Sequence, residues 1–113
     1  FWYKDTGIEA PLRIESPEAV SKLFGIKEKL NNKFGILVCN PIPKAYALKK
    51  TDLEPLIKEG LKSLQRNRFS GKKLTPSILD LLFRKTKGKT LKSNIELVKN
   101  NAIFGSKIAM ALN

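Results

Sequence analysis

The sequence predicts an α/β fold with about four helices and two or three short strands, and three observations carry that prediction. Residues 34–40, FGILVCN, form a short and nearly continuous apolar run, the pattern of a strand covered on both faces. Residues 91–112 place Leu91, Ile95, Val98, Ala102, Gly105, Ala109 and Leu112 at steps of four and three, which keeps them on one face of a helix. Hydroxyl-bearing helix starts punctuate the rest: Ser16-Pro17, Thr75-Pro76 and a capping-box pattern at 51–54.

Composition bounds what such a chain does. Its 113 residues, 42% of them hydrophobic, suffice for the core of one domain, so residues 1–113 are read as a single segment. The net charge of +12 is concentrated in the second half of the chain. A field of that sign favours nucleic acid, anionic lipid or phosphorylated ligands, and is equally the surface of a lysine-rich proteome. With no histidine, the usual general base near neutral pH, Ser-His-Asp arrangements and most zinc sites are excluded. The single cysteine, Cys39, forms no internal disulfide, which suits a reducing compartment. No apolar run approaches the roughly 20 residues that cross a bilayer, so the expectation is a soluble, intracellular protein, cytoplasmic or organellar, without a membrane partner. The chain begins at Phe1 while its only methionine is Met110, which reads as processing or as a piece of something longer.

Taken in order, Phe1-Trp2-Tyr3 suits a strand and Asp5-Thr6-Gly7 a turn. Leu12-Arg13-Ile14 alternates as a second short strand. From Ser16, Val20, Leu23, Phe24 and Leu30 carry an amphipathic helix to about Asn31. The buried strand at 34–40 comes next, and a strand buried on both faces needs neighbours that this chain barely supplies. Much of the sheet must therefore come from missing residues or a partner chain. Asn40-Pro41-Ile42-Pro43 then leaves the sheet along a stiff path, because two prolines fix φ and withdraw two donors. Ground just past the carboxyl end of a buried strand is where ligands sit in open α/β sheets, which makes Asn40 a candidate ligand group.

Thr51 opens a third segment as an N-cap, with Glu54 reaching back to its N–H, and Leu53, Leu56, Ile57, Gly60, Leu61 and Leu64 form one apolar face to about Asn67. Thr75-Pro76 begins a shorter helix whose Ile78, Leu79, Leu81, Leu82 and Phe83 predict extensive burial. A basic link at 84–89 follows. Its Arg84, Lys85, Lys87 and Lys89, with Lys92, offer charge for phosphate but no regular phosphate-cradling loop. In the final helix the periodic stripe, widened on one side by Leu97 and Ile108, is expected to be buried, and two amides, Asn94 and Asn101, lie seven residues apart at nearly the same angle near its middle, about 10 Å apart along the axis. Burying an unpaired amide costs on the order of 1–3 kcal/mol, so each needs a partner, whether protein, water or ligand.

Together these motifs resemble the pseudouridine-5′-phosphate glycosidases, also called the indigoidine synthase A-like proteins. The resemblance runs through GILVCNPIPKAYAL at 35–48, LTP at 74–76, SNIELVKNNA at 93–102 and the KIAMAL ending, and upstream through FWYKDTGIEAPLRIESPEAV at 1–20. It covers essentially the whole chain. Lys44 and Ala45 stand where the family usually has two glutamates, and Ser77 where it usually has phenylalanine.

The resemblance implies the C-terminal third of a larger α/β/α enzyme that reversibly cleaves the C–C glycosidic bond of pseudouridine 5′-phosphate to uracil and ribose 5-phosphate. It also implies Mn²⁺, a lysine nucleophile and a homotrimer. The lysine, the acid glutamate, the metal ligands and most phosphate contacts are expected upstream of Phe1, so this segment is expected to hold no catalytic or metal-binding residue and to be inactive alone. What it would contribute is an asparagine facing the uracil. Asn101, in the NNA signature, is the first choice and Asn94 the second. The implied partners are the rest of the same polypeptide or a companion fragment, and pseudouridine 5′-phosphate. The competing expectation is a catalytically dead remnant serving as a basic structural subunit of a larger assembly, with RNA a partner only in that case.

Overall fold

A computed structural model describes residues 2–66 and 71–113. The described residues form four α-helices, α1 (Pro17–Lys29), α2 (Lys50–Arg66), α3 (Leu74–Lys85) and α4 (Lys89–Leu112), with 3₁₀ turns at Lys44–Tyr46 and Gly71–Lys73. None of them is in a strand. The expected α/β class with two or three short strands is therefore corrected to an all-helical arrangement. The physical reason lies in the backbone: a strand's N–H and C=O groups are paired only across a ladder, and none of the described stretches supplies one to residues 34–40. Those residues have no regular structure, and their apolar side chains stand in solvent, with Phe34 79% and Leu37 89% exposed. Residues 2–3 and 12–14 likewise form no strand, and Phe1 lies outside the described residues.

The helices follow their local signals. Ser16 caps α1 by accepting from the Ala19 N–H at 3.2 Å, with Pro17 in the first helical position. Asn31, at φ 51°, closes it: Asn31 N–H donates to the Glu28 carbonyl and Asn32 N–H to that of Lys27, the paired bonds of a left-handed helix stop. The same stop ends α3, where Lys87 at φ 51° donates to Arg84 and Gly88 at φ 81° donates to Phe83 at 2.8 Å. The capping box of α2 does not form. That helix begins at Lys50, two residues before the Asp52 start that a Thr51 cap would set, Thr51 turns its hydroxyl to the Asp52 carboxylate, and Glu54 pairs with Lys50 instead. The expected end near Asn67 lies outside the described residues.

Packing joins α1 to α4, α2 to α3 and α3 to α4. Ser21 on α1 donates to the Ala111 carbonyl at 2.7 Å, and Gly60 on α2 lets Leu81 of α3 approach to where a Cβ would stand 3.2 Å from its methyl. Among the described residues the buried apolar side chains are Val20, Ile42, Leu53, Leu64, Leu82 and Leu97. That is a small core, and α3 is less buried than its composition predicts, with Leu79 and Phe83 each more than two-fifths exposed.

The orientation of α4 is the second correction. Thr90, Ser93 and Leu97 are buried, and Asn100, Phe104, Ile108 and Ala111 continue the same line half-buried. Of the stripe expected to be inside, the residues from Leu91 to Leu112 at steps of four and three are exposed along its length, and only Leu97 and Ile108, expected to widen it on one side, lie on the inward line. At 100° per residue it is centred about 130° from the inward line. Asn94 and Asn101, expected near the middle of the stripe, fall about midway between the two.

Candidate functional site

The loop at 40–46 lies along α4 and is fastened to it. Ser93 donates its hydroxyl proton to the Tyr46 carbonyl at 2.7 Å, the Asn100 amide donates to the Pro41 carbonyl at 3.2 Å, and the Asn40 amide donates to the Asn101 side-chain oxygen at 3.0 Å. Ile42, 2% exposed, is the apolar anchor between them. Pro41 and Pro43 suit this position because they stiffen the path and lose no needed donor, while the carbonyls of Pro41 and Tyr46 are both used. Two of the candidate residues, Asn40 and Asn101, are thus brought together from 61 residues apart. This bond leaves the Asn40 oxygen and the Asn101 amide hydrogens open, a donor beside an acceptor.

Asn94 sits apart from that pair, two turns nearer the start of α4. It is half-buried and lines a cleft of about 290 Å³ with Trp2, Leu79, Phe83, Leu91, Asp80 and Thr90. The cleft is built by distant segments: a bond from the Leu48 N–H to the Trp2 carbonyl at 2.6 Å holds Trp2 beside the loop, and the stop at 86–88 swings Phe83 against the start of α4. Its volume is near the lower end of those that hold small molecules. Two aromatic rings, aliphatic carbon and an amide make it suited to a flat polar heterocycle. Asp80, at its edge, is engaged by Arg84 at 2.8 Å.

The charges resolve into surface pairs. Arg84 is held by Asp80 and Lys85 by Glu59 at 3.5 Å, so the basic link expected to offer phosphate contacts is partly neutralised. Every described lysine except Lys27 is exposed, and Lys27 lies over the Phe24 ring with its ammonium on Glu28. None therefore stands in the desolvated setting that activates a lysine nucleophile. Lys99 has its pKa raised, chiefly because its ammonium donates to the Glu96 carboxylate at 2.8 Å. Among the described residues no group of three or more Cys, His, Asp or Glu side chains is placed to hold a metal ion, so these residues do not fit Mn²⁺. Among those residues, too, no helix is long and apolar enough to cross a membrane.

Sequence reasoning singled out the three asparagines but missed Ser93 and Trp2. A serine at the register of Leu97 and Thr90 was the available signal for Ser93, since a hydroxyl on the inward line needs an acceptor. Nothing local pointed to Trp2 as a wall of the Asn94 cleft.

A helical unit whose two amides edge a fastened loop and an aromatic cleft belongs to a known fold. The prealnumycin C-glycosynthase AlnA, whose crystal structure is in complex with ribulose 5-phosphate, superposes on 92% of this chain with a TM-score of 0.78, at 20% identity and over 35% of its own chain. The profile of the indigoidine synthase A-like proteins matches residues 1–111, and the chain belongs to that family. Pseudouridine-5′-phosphate glycosidase from Caldanaerobacter subterraneus subsp. tengcongensis is 42% identical over 113 residues, covering all of this chain and 37% of the relative. The enzyme of the same name from Legionella pneumophila subsp. pneumophila is 43% identical over 111 residues, 98% of this chain and 35% of the relative. The chain thus spans little more than a third of the curated relatives it matches, and corresponds to their C-terminal part.

Proposed function

We propose that this chain is the C-terminal part of a pseudouridine-5′-phosphate glycosidase, forming one wall of its nucleobase pocket, with Asn94 reading the uracil edge. The observation that carries the reading is the Asn94 side chain, half-buried in a cleft with Trp2 and Phe83 and without a hydrogen bond to any described residue. An amide offers a donor and an acceptor together, matching a uracil edge that presents both. Asn101 suits a different task. Its oxygen is committed to Asn40, so the pair locks the 40–46 loop against α4 and positions the wall.

Cleavage of the C–C bond would draw its lysine nucleophile from the rest of the unit. The isolated chain would give no turnover. Mn²⁺ and a homotrimer belong to the same proposal for the whole unit, with the metal ligands outside this chain. The test is uracil release from pseudouridine 5′-phosphate by the unit reconstituted from this chain and the N-terminal part of a relative. Asn94→Ala should lower kcat/KM at least tenfold at unchanged melting temperature, whereas Asn101→Ala should act mainly on melting temperature. If both variants only lower the melting temperature, Asn94 is a structural amide and the pocket lies elsewhere.

A further inference from the structure

The outer face of α2 carries a row of cations. Lys58, Lys62 and Arg66 stand four residues apart, so they share one face and lie about 6 Å from one another along the axis. All three are exposed, and none forms an ion pair with a described residue. At 100° per residue the row is centred about 180° from the buried line through Leu53, Gly60 and Leu64. Two acids flank the row and both are engaged by lysines outside it: Glu54 by Lys50 at 3.6 Å and Glu59 by Lys85 at 3.5 Å. Glu59 borders a shallow depression with Lys62, Ser63 and Arg66.

Lys72 and Lys73, both exposed, add charge at the same end of the α2–α3 pair. The Ser77 hydroxyl donates to the Lys73 carbonyl at 2.8 Å, and Ser77 shares a groove with Leu64 near the end of α2. Several cations elsewhere are neutralised: Arg84 by Asp80, Lys27 by Glu28 and Lys99 by Glu96. A helix face that serves only to meet water gains from mixed signs three or four residues apart and loses from like charges at that spacing. Three unpaired cations in one row raise the local potential and favour a polyanion.

The chemistry of the face narrows which polyanion fits. Among its described residues α2 exposes no large apolar side chain, so a lipid surface would meet charge with no apolar face to insert. The helix has no aromatic residue on which unpaired bases could stack, which disfavours a single strand. A row of phosphates held without contact to bases meets the remaining requirement.

We propose that Lys58, Lys62, Arg66, Lys72 and Lys73 form a surface that binds the phosphate backbone of double-stranded nucleic acid, indifferent to its sequence and its sugar. No residue of the Asn94 cleft or of the 40–46 loop takes part, so this surface stands apart from the functional reading.

The experiment is fluorescence anisotropy of the full chain with short labelled RNA and DNA duplexes of mixed sequence. With five phosphates neutralised, affinity should fall about 500-fold between about 50 and 200 mM salt, because each contact releases counterions. Lys58→Gln with Lys62→Gln should weaken binding at low salt at least tenfold and flatten the slope of log affinity against log salt by about 2. Lys22→Gln with Lys107→Gln removes the same charge from exposed lysines of α1 and α4 and should leave the slope unchanged. All four lysines are exposed, so circular dichroism of both variants should match the parent. No binding at low salt, an equal loss in the two variants, a preference above tenfold for one sugar or sequence, or tighter binding to a single strand or to phosphatidylserine vesicles than to either duplex would each overturn the proposal.

Discussion

Leu97 and Val98 are neighbours on α4 with opposite expected responses to truncation. Leu97 is 8% exposed and on the inward line; Val98 is 61% exposed and on the outward stripe. Leu97→Ala removes buried carbon and leaves a void in a core of few residues, which costs about 2–4 kcal/mol. Val98→Ala removes two methyl groups already mostly in water, and alanine is the better helix former by a few tenths of a kcal/mol, so the net change is within about 0.5 kcal/mol of zero. Urea unfolding of the isolated chain, followed by circular dichroism at equal slope for both variants, measures the difference. At two-state equilibrium the midpoint for Leu97→Ala should fall far below the parent, while that for Val98→Ala stays near it. If Val98→Ala costs as much as Leu97→Ala, α4 is turned as the apolar periodicity suggests.

Three further outcomes test other parts of the structure. Lys87 occupies a left-handed helix stop, where glycine avoids the Cβ cost, so Lys87→Gly should stabilise the chain by about 0.5–1 kcal/mol in thermal unfolding; a loss of stability would show that the stop is not formed. Ser93→Ala removes a buried hydroxyl from the Tyr46 carbonyl and should cost about 1–2 kcal/mol while speeding hydrogen exchange at 40–48; unchanged exchange would mean the loop is held otherwise. Lys99 should titrate above the ordinary lysine value, and Glu96→Gln should return it downward in an NMR titration. A raised folded pKa lends stability at pH below the unfolded value and loses it as pH climbs through the folded one, so this pair changes nothing between pH 5 and 8.

The local chemistry of the chain was legible without its tertiary structure. Ser16-Pro17 starts a helix because a hydroxyl and a ring satisfy two orphan positions within one turn, and Asn31 ends it because its side chain tolerates positive φ. The family was legible too, since its motifs are strings of neighbouring residues. The candidate amides were visible as polar interruptions within an apolar stripe.

Tertiary structure decided what those interruptions do. Periodicity says that α4 has an apolar face, but the direction in which that face points depends on α1, α3 and the fastened loop, and they hold the line through Ser93 and Leu97 instead. The run at 34–40 has the composition of a buried strand, yet a strand exists only when another backbone takes its hydrogen bonds, and none of the described stretches does. Asn40 meets Asn101 across 61 residues, and Trp2 meets Asn94 across the whole length of the fold, through distances no local pattern encodes. The sequence by itself determined the helices, their stops and the family. The packing of loop on helix determined that Asn101 is committed to the loop while the Asn94 side chain has no hydrogen bond to any described residue.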